Sequence, residues 1–201
     1  NTGTNNRVMT SLDSITWTSR TSAANNNWTS ICYSPELNLF VAVSNSGTSN
    51  RVMTSSDGIT WTIQTSAADN DWTSVCWATH IQLYIAVSNS GTNNRIMTTN
   101  NGINWASQIS PADNNCTSVC RGRIDVGLLT EKEIFVAVSN SGTNRVMISY
   151  DGINWDYCYP SESSSQWSPN MKKKHSFLRT TFLFIHRYFI QSSPQVIQIL
   201  Q

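Results

Sequence analysis

The chain reads as all-β, built from four-stranded antiparallel units of about 44 residues, and three features of the sequence say so. VAVSNSGT occurs at 41–48 and again at 136–143, with IAVSNSGT at 85–92, and the chain opens on NTGTNNRVMT as though entering the same unit partway through. Arg7, Arg51, Arg95 and Arg145 recur at spacings of 44, 44 and 50, and Trp17, Trp61, Trp105 and Trp155 repeat the same intervals. No segment of the repeated region sustains a helical period, whereas short runs rich in aromatic and β-branched residues alternate with turns rich in Asn, Ser and Gly.

Within one unit the expected strands are Trp72–Trp77, Leu83–Ser88, Arg95–Thr99 and Ile103–Ala106. The last two are joined by a tight turn in which an acid or amide precedes glycine: Asp57-Gly58, Asn101-Gly102 and Asp151-Gly152. The side chain bonds its own backbone there, and glycine supplies the positive φ. The first copy has Asp13-Ser14 instead, so its turn is expected to be strained or differently shaped. The repeats divide into a partial unit, 1–21, and units 28–65, 72–109 and 116–159. From Cys120 to Ala137 the chain takes 17 residues where the earlier copies take 10, a seven-residue insertion between the first two strands of the last unit.

A four-stranded sheet buries neither face alone, so the copies must stack on one another. Radial stacking of blades of about 40–45 residues gives a β-propeller or a fragment of one. Ile59 with Trp61, Ile103 with Trp105 and Ile153 with Trp155 alternate onto one face of their strands, which makes these pairs the expected packing between blades. Cys32, Cys76 and Cys120 hold equivalent strand positions and are expected in the cores of separate blades, too far apart to bridge.

Asn, Ser and Thr supply 73 of the 201 residues, so the polar surface is made of neutral hydrogen-bonding groups. Residues 1–170 carry 8 basic and 12 acidic side chains, a net of −4 that gives no field for steering toward nucleic acid. Residues 171–201 carry five basic and no acidic side chains; 161–201 is a divergent C-terminal segment that either supplies closing strands or is a non-native end. Its stretch 177–191 is apolar and basic, a candidate for membrane contact but too short to span a bilayer. The cysteine and histidine spacings match no zinc pattern, and no metal or cofactor is expected. No N-terminal signal is visible, and Asn27 and Asn115 head glycosylation sequons that matter only on a secretory route.

The stretch Ser55-Ser56-Asp57-Gly58-Ile59-Thr60-Trp61 resembles the Asp-box, or BNR, turn of sialidase-like β-propellers, which joins the third and fourth strands of a blade. Related stretches run from Ser11 to Trp17, Thr99 to Trp105 and Ser149 to Trp155, so the resemblance covers about residues 1–160. It departs from the family in one respect: the Asp and Gly are adjacent here, where the family has one residue between them. The resemblance implies structural roles for Asp13, Asp57, Gly58, Asn101, Gly102, Asp151 and Gly152, with the four repeat tryptophans.

The family also includes glycosidases that grip a carboxylate with three arginines and use a tyrosine nucleophile with acidic partners. Arg7, Arg51, Arg95 and Arg145 invite that comparison, yet each holds the same place in its unit, whereas a catalytic triad draws unlike residues from different blades. Glu36, Glu131, Glu133 and Glu162 are the only glutamates and no pair is singled out, as a glycosidase would require. The expectation is therefore a non-catalytic binding or structural repeat protein whose ligand is a carbohydrate or another protein. A sialidase-like hydrolase and a degenerate fragment with no independent function are the alternatives. Candidate binding residues are the four repeat arginines, the rim aspartates Asp69, Asp71 and Asp113, and Arg121 and Arg123 in the charged insertion. An incomplete ring would also favour oligomerisation.

Overall fold

A computed structural model describes residues 4–125 and 131–158. The expectations placed on 161–201, closing strands and membrane contact among them, lie outside the described residues. The described chain is all-β, with fourteen strands, no helix and four antiparallel sheets. The first sheet pairs β1 (Val8–Thr10) with β2 (Thr18–Arg20). The second runs in chain order through β3 (Trp28–Ser34), β4 (Leu39–Ser44), β5 (Val52–Ser55) and β6 (Thr62–Gln64). The third repeats it with β7 (Trp72–Ala78), β8 (Leu83–Ser88), β9 (Ile96–Thr99) and β10 (Ala106–Gln108). The fourth comprises β11 (Cys116–Asp125), β12 (Glu131–Ser139), β13 (Val146–Ser149) and β14 (Trp155–Tyr157).

The sheets stack in chain order, each joint filled by its own apolar cluster. Ala42, Met53 and Trp61 of the second sheet pack with Val8 of the first. The opposite face of the second sheet, Val41, Val43 and Val52, meets Trp72, Trp77, Tyr84 and Met97 of the third. Ile85, Val87 and Ile96 of the third meet Phe135, Ala137, Met147 and Trp155 of the fourth. Because the middle sheets are covered on both faces, their second strands read as unbroken apolar runs, VAV and IAV, in place of a polar–apolar alternation.

Hydroxyl groups stitch the joints as well. Each first strand carries a register break, at Trp28/Ser30, Trp72/Ser74 and Cys116/Ser118, that leaves a threonine unpaired. A bulge of this kind re-aims its side chain. The Thr29 hydroxyl reaches the Trp72 carbonyl at 2.7 Å and that of Thr73 reaches the Cys116 carbonyl at 2.8 Å, each in the next sheet. One residue on, Ser30 Oγ accepts the Val75 N–H and Ser74 Oγ accepts the Val119 N–H.

Two sequence expectations change. Ile59, Ile103 and Ile153 do not share the buried face with their tryptophans; each is half-exposed, because it belongs to the turn and the strand begins after it. Trp61 and Trp155 are buried and Trp105 is partly so, but Trp17 is largely exposed, since no described sheet precedes the first.

The first turn keeps its shape at the cost of strain. Ser14 takes φ 62°, the left-handed conformation that Gly58, Gly102 and Gly152 hold at 72–74°. An L-residue there costs about 1–2 kcal/mol, part of which a glycine returns as lost chain entropy. Ser14→Gly should therefore raise stability by about 0.5–1 kcal/mol in urea unfolding. A loss of stability would show that the serine side chain contributes more than its strain.

Candidate functional site

The four tight turns are built alike from their side chains. Asp57 Oδ1 accepts the N–H groups of Ile59 and Thr60 at 2.8 and 2.7 Å and the Ser55 hydroxyl at 2.9 Å. Ser55 Oγ accepts the Gly58 N–H, and Trp61 donates its indole N–H to the Gly58 carbonyl at 3.2 Å. Asp13, Asn101 and Asp151 make the same pair of backbone bonds in their turns. Trp105 and Trp155 likewise bond the carbonyls of Gly102 and Gly152. These bonds hold the turn together.

The backbone donors of Thr60 and Ile59 hold the Asp57 carboxyl at about 2, and those of Thr16 and Ile15 hold Asp13 well below its usual value. Partial burial pushes Asp151 up, but the Asn154 amide and the backbone N–H groups of Asn154 and Ile153 outweigh it, leaving about 2. A carboxyl depressed in the fold stabilises it above the unfolded value of 3.8 and loses that contribution as pH falls through the folded value. Urea unfolding should therefore show stability level above about pH 5 and falling between about pH 4 and 2. Asp57→Asn should flatten part of that fall, since Asn101 already does the same work without charge in the third turn; an unchanged profile would overturn the assignment.

The rim arginines and acids are engaged with one another. Arg51 Nη1 lies 2.7 Å from Asp71 Oδ1, its Nε donates to the Gly47 carbonyl, and Asp69 Oδ1 accepts the Ser49 N–H at 2.7 Å. One unit on, Arg95 bonds the Asn115 amide oxygen and the Gly91 carbonyl, and Asp113 Oδ1 accepts the Asn93 N–H. Arg7 bonds Asn27 Oδ1 and the Asn26 carbonyl, and Arg145 Nε bonds the Gly142 carbonyl. The sequon asparagines Asn27 and Asn115 are thus themselves clasp partners. Between these arginines, Asn70 donates its amide to Asn94 and sits so close over Gly91, at φ 100°, that a Cβ there would lie 2.3 Å from its Nδ2. The periodic groups serve as clasps between each loop and the linker to the next sheet, and the charge can be lost, as at Asn27 and Asn115, without losing the clasp.

The insertion is different in kind. It lengthens β11 and β12 into a long hairpin in place of the loop that its length suggests, pairing Arg123 with Glu133 and Arg121 with Phe135. Arg121 Nη1 lies 3.1 Å from Glu133 Oε1, which also accepts the His80 N–H at 3.4 Å, and Arg123 contacts the His80 ring at Nε2. Glu133 is buried, and its Oε2 has no hydrogen-bond partner among the described residues. The hairpin thus brings two arginines and a buried carboxylate against the β7–β8 turn of the third sheet.

The sequence marked Arg121 and Arg123 but missed His80, although the repeat holds the clue. Glu36, one unit earlier at the same turn position, accepts the indole N–H of Trp77 in the next sheet at 2.6 Å. His80 replaces Glu36 and Arg121 replaces Trp77, so the same joint recurs with its chemistry changed.

Cys32, Cys76 and Cys120 are free and partly accessible. Burial pushes each thiol up. Among the described residues no group of three or more His, Cys, Asp or Glu is placed to hold a metal ion. No protein-family model matches the chain, and no curated protein matches it.

Proposed function

We propose that the chain is a β-propeller-like array of sialidase-like Asp-turn blades and serves as a non-catalytic binding module whose ligand is another protein, met through the β11–β12 hairpin. The blade reading is supported by sheets stacked in chain order and joined through their first strands, β3 to β7 to β11. One observation carries the binding reading: the polar groups that recur with the repeat are spent on clasps and turns, while the non-recurring cluster of Arg121, Arg123 and Glu133 lies where the β11–β12 hairpin meets His80 of the β7–β8 turn. Carbohydrate is the weaker ligand, because the Asn- and Asp-rich linkers that would meet sugar hydroxyls already bond one another. Arg123, which is exposed on β11, suits a carboxylate-bearing segment of a partner protein, while Arg121 stays with Glu133.

The test applies labelled full-length chain to a printed glycan array and to an array of peptides presenting Asp and Glu side chains. Peptide binding that falls tenfold or more with Arg123→Ala, while circular dichroism is unchanged, supports this function. Binding to a class of glycans that survives Arg123→Ala overturns it.

A further inference from the structure

We propose that Asn101 is a site of spontaneous covalent modification: in the folded chain its side-chain amide hydrolyses to a carboxylate, which makes the third tight turn an aspartate turn like the other three. Asn101-Gly102 is the one Asn-Gly pair in the sequence. Glycine has no side chain to hold its nitrogen away from the preceding residue, so that nitrogen is the least hindered main-chain nucleophile. In the first step it gives its proton to solvent and bonds to Asn101 Cγ, the Cγ–Nδ2 bond breaks, and ammonia leaves with a proton from water. Water then adds at Cγ of the resulting cyclic imide, the Cγ–N bond breaks, and the Gly102 nitrogen recovers its proton. The net change is amide plus water to carboxylic acid plus ammonia, with no oxidant or reductant.

The turn is set for that attack. Asn101 Oδ1 accepts the Thr99 hydroxyl and the N–H groups of Ile103 and Asn104, each at 2.9 Å. Negative charge develops on this oxygen as the nitrogen adds, so three donors already point to where it appears. The nucleophile is also less engaged than in the sister turns. Gly58 and Gly152 donate their N–H to a serine Oγ at 2.8 and 2.9 Å. In the third turn Thr99 replaces that serine; its Oγ1 accepts the Asn101 N–H at 3.3 Å and, among the described residues, makes no bond with Gly102. Asn101 is exposed, which gives water its access.

The fold also selects the product. Opening the imide at Cγ gives aspartate, and Asp13, Asp57 and Asp151 show that a carboxylate makes the same pair of backbone bonds at this place. Opening it at the main-chain carbonyl gives isoaspartate, which inserts a methylene into the backbone beside Gly102. Gly102 is buried against the second sheet, where even a Cβ would lie 2.6 Å from Leu39 Cδ2. That packing leaves no room for a longer backbone, and it is also why the reactive pair keeps its glycine.

The test incubates the full chain in mildly alkaline buffer, folded and in guanidinium chloride, and follows each asparagine by peptide mass spectrometry. In the folded chain Asn101 should gain one mass unit at least tenfold faster than Asn45, Asn89 and Asn140, which precede serine. Aspartate should be the major product there, with isoaspartate the major product in the denatured chain. Asn101→Asp, the expected product, should keep the circular dichroism and the urea midpoint of the starting chain at neutral pH. Conversion of folded Asn101 no faster than at the asparagines before serine overturns the proposal. So does isoaspartate as the major product of the folded chain, or an Asn101→Asp variant that loses the fold.

Discussion

Arg121→Ala should destabilise the chain by about 3 kcal/mol, measured by urea unfolding at neutral pH. The substitution strands Glu133, whose side chain is 4% exposed, with the His80 N–H as its remaining partner among the described residues. The cost sits at the low end of the range for broken buried pairs because Arg121 keeps about a third of its side chain in water. A second variant separates the pair from the packing. Arg121→Leu with Glu133→Leu should return most of the loss, since two apolar side chains need no partner beside buried Phe135, which is paired with Arg121. If the single substitution costs less than about 1 kcal/mol, the carboxylate is hydrated and the hairpin is held by its backbone pairing alone.

Trp72→Ala should cost about 4 kcal/mol, the largest loss expected from any one side chain here. Trp72 is fully buried between the second and third sheets, and its indole N–H donates to the Ala68 carbonyl at 3.1 Å. Its own carbonyl receives the Thr29 hydroxyl, so a collapse of the strand into the cavity would also strain the stitch between sheets. Trp17→Ala provides the contrast. More than half of that ring is in water, and its loss should fall within about 1 kcal/mol. Equal effects at the two positions would mean that the first sheet is covered as fully as the third.

The strands were legible because the repeat supplies three comparable copies of each, and a run such as VAVS followed by an Asn- and Gly-rich turn has few other readings. Turn chemistry was legible too, since Asp57 and Gly58 have strict requirements that appear in the residues themselves. Alternation misled at Ile59: a period of two predicts a shared face with Trp61 only if both lie in a strand, and the Asp57 carboxylate had already drawn the Ile59 N–H into the turn. The clasps were half legible. Periodic arginines argued for structure over catalysis, but their partners stand 20 residues away in the linker, a distance no local pattern reveals. His80 stayed hidden for another reason, because its significance lies in what it replaces. Only the bond from Trp77 to Glu36 shows that this turn position reaches across to the next sheet.

The long β11–β12 hairpin has a consequence for how the chain finds its fold. Nearly identical segments at 41–48, 85–92 and 136–143 could each pair with the first strand of a neighbour, and such exchanges are a common trap in repeat proteins. β3 and β7 have seven residues each and read almost alike, so they are interchangeable in length. β11 has ten, and its added residues Arg123, Ile124 and Asp125 pair with Glu133, Lys132 and Glu131, which neither earlier copy possesses. The hairpin therefore gives one repeat an address, and once it closes, the remaining strands have a fixed end from which to count.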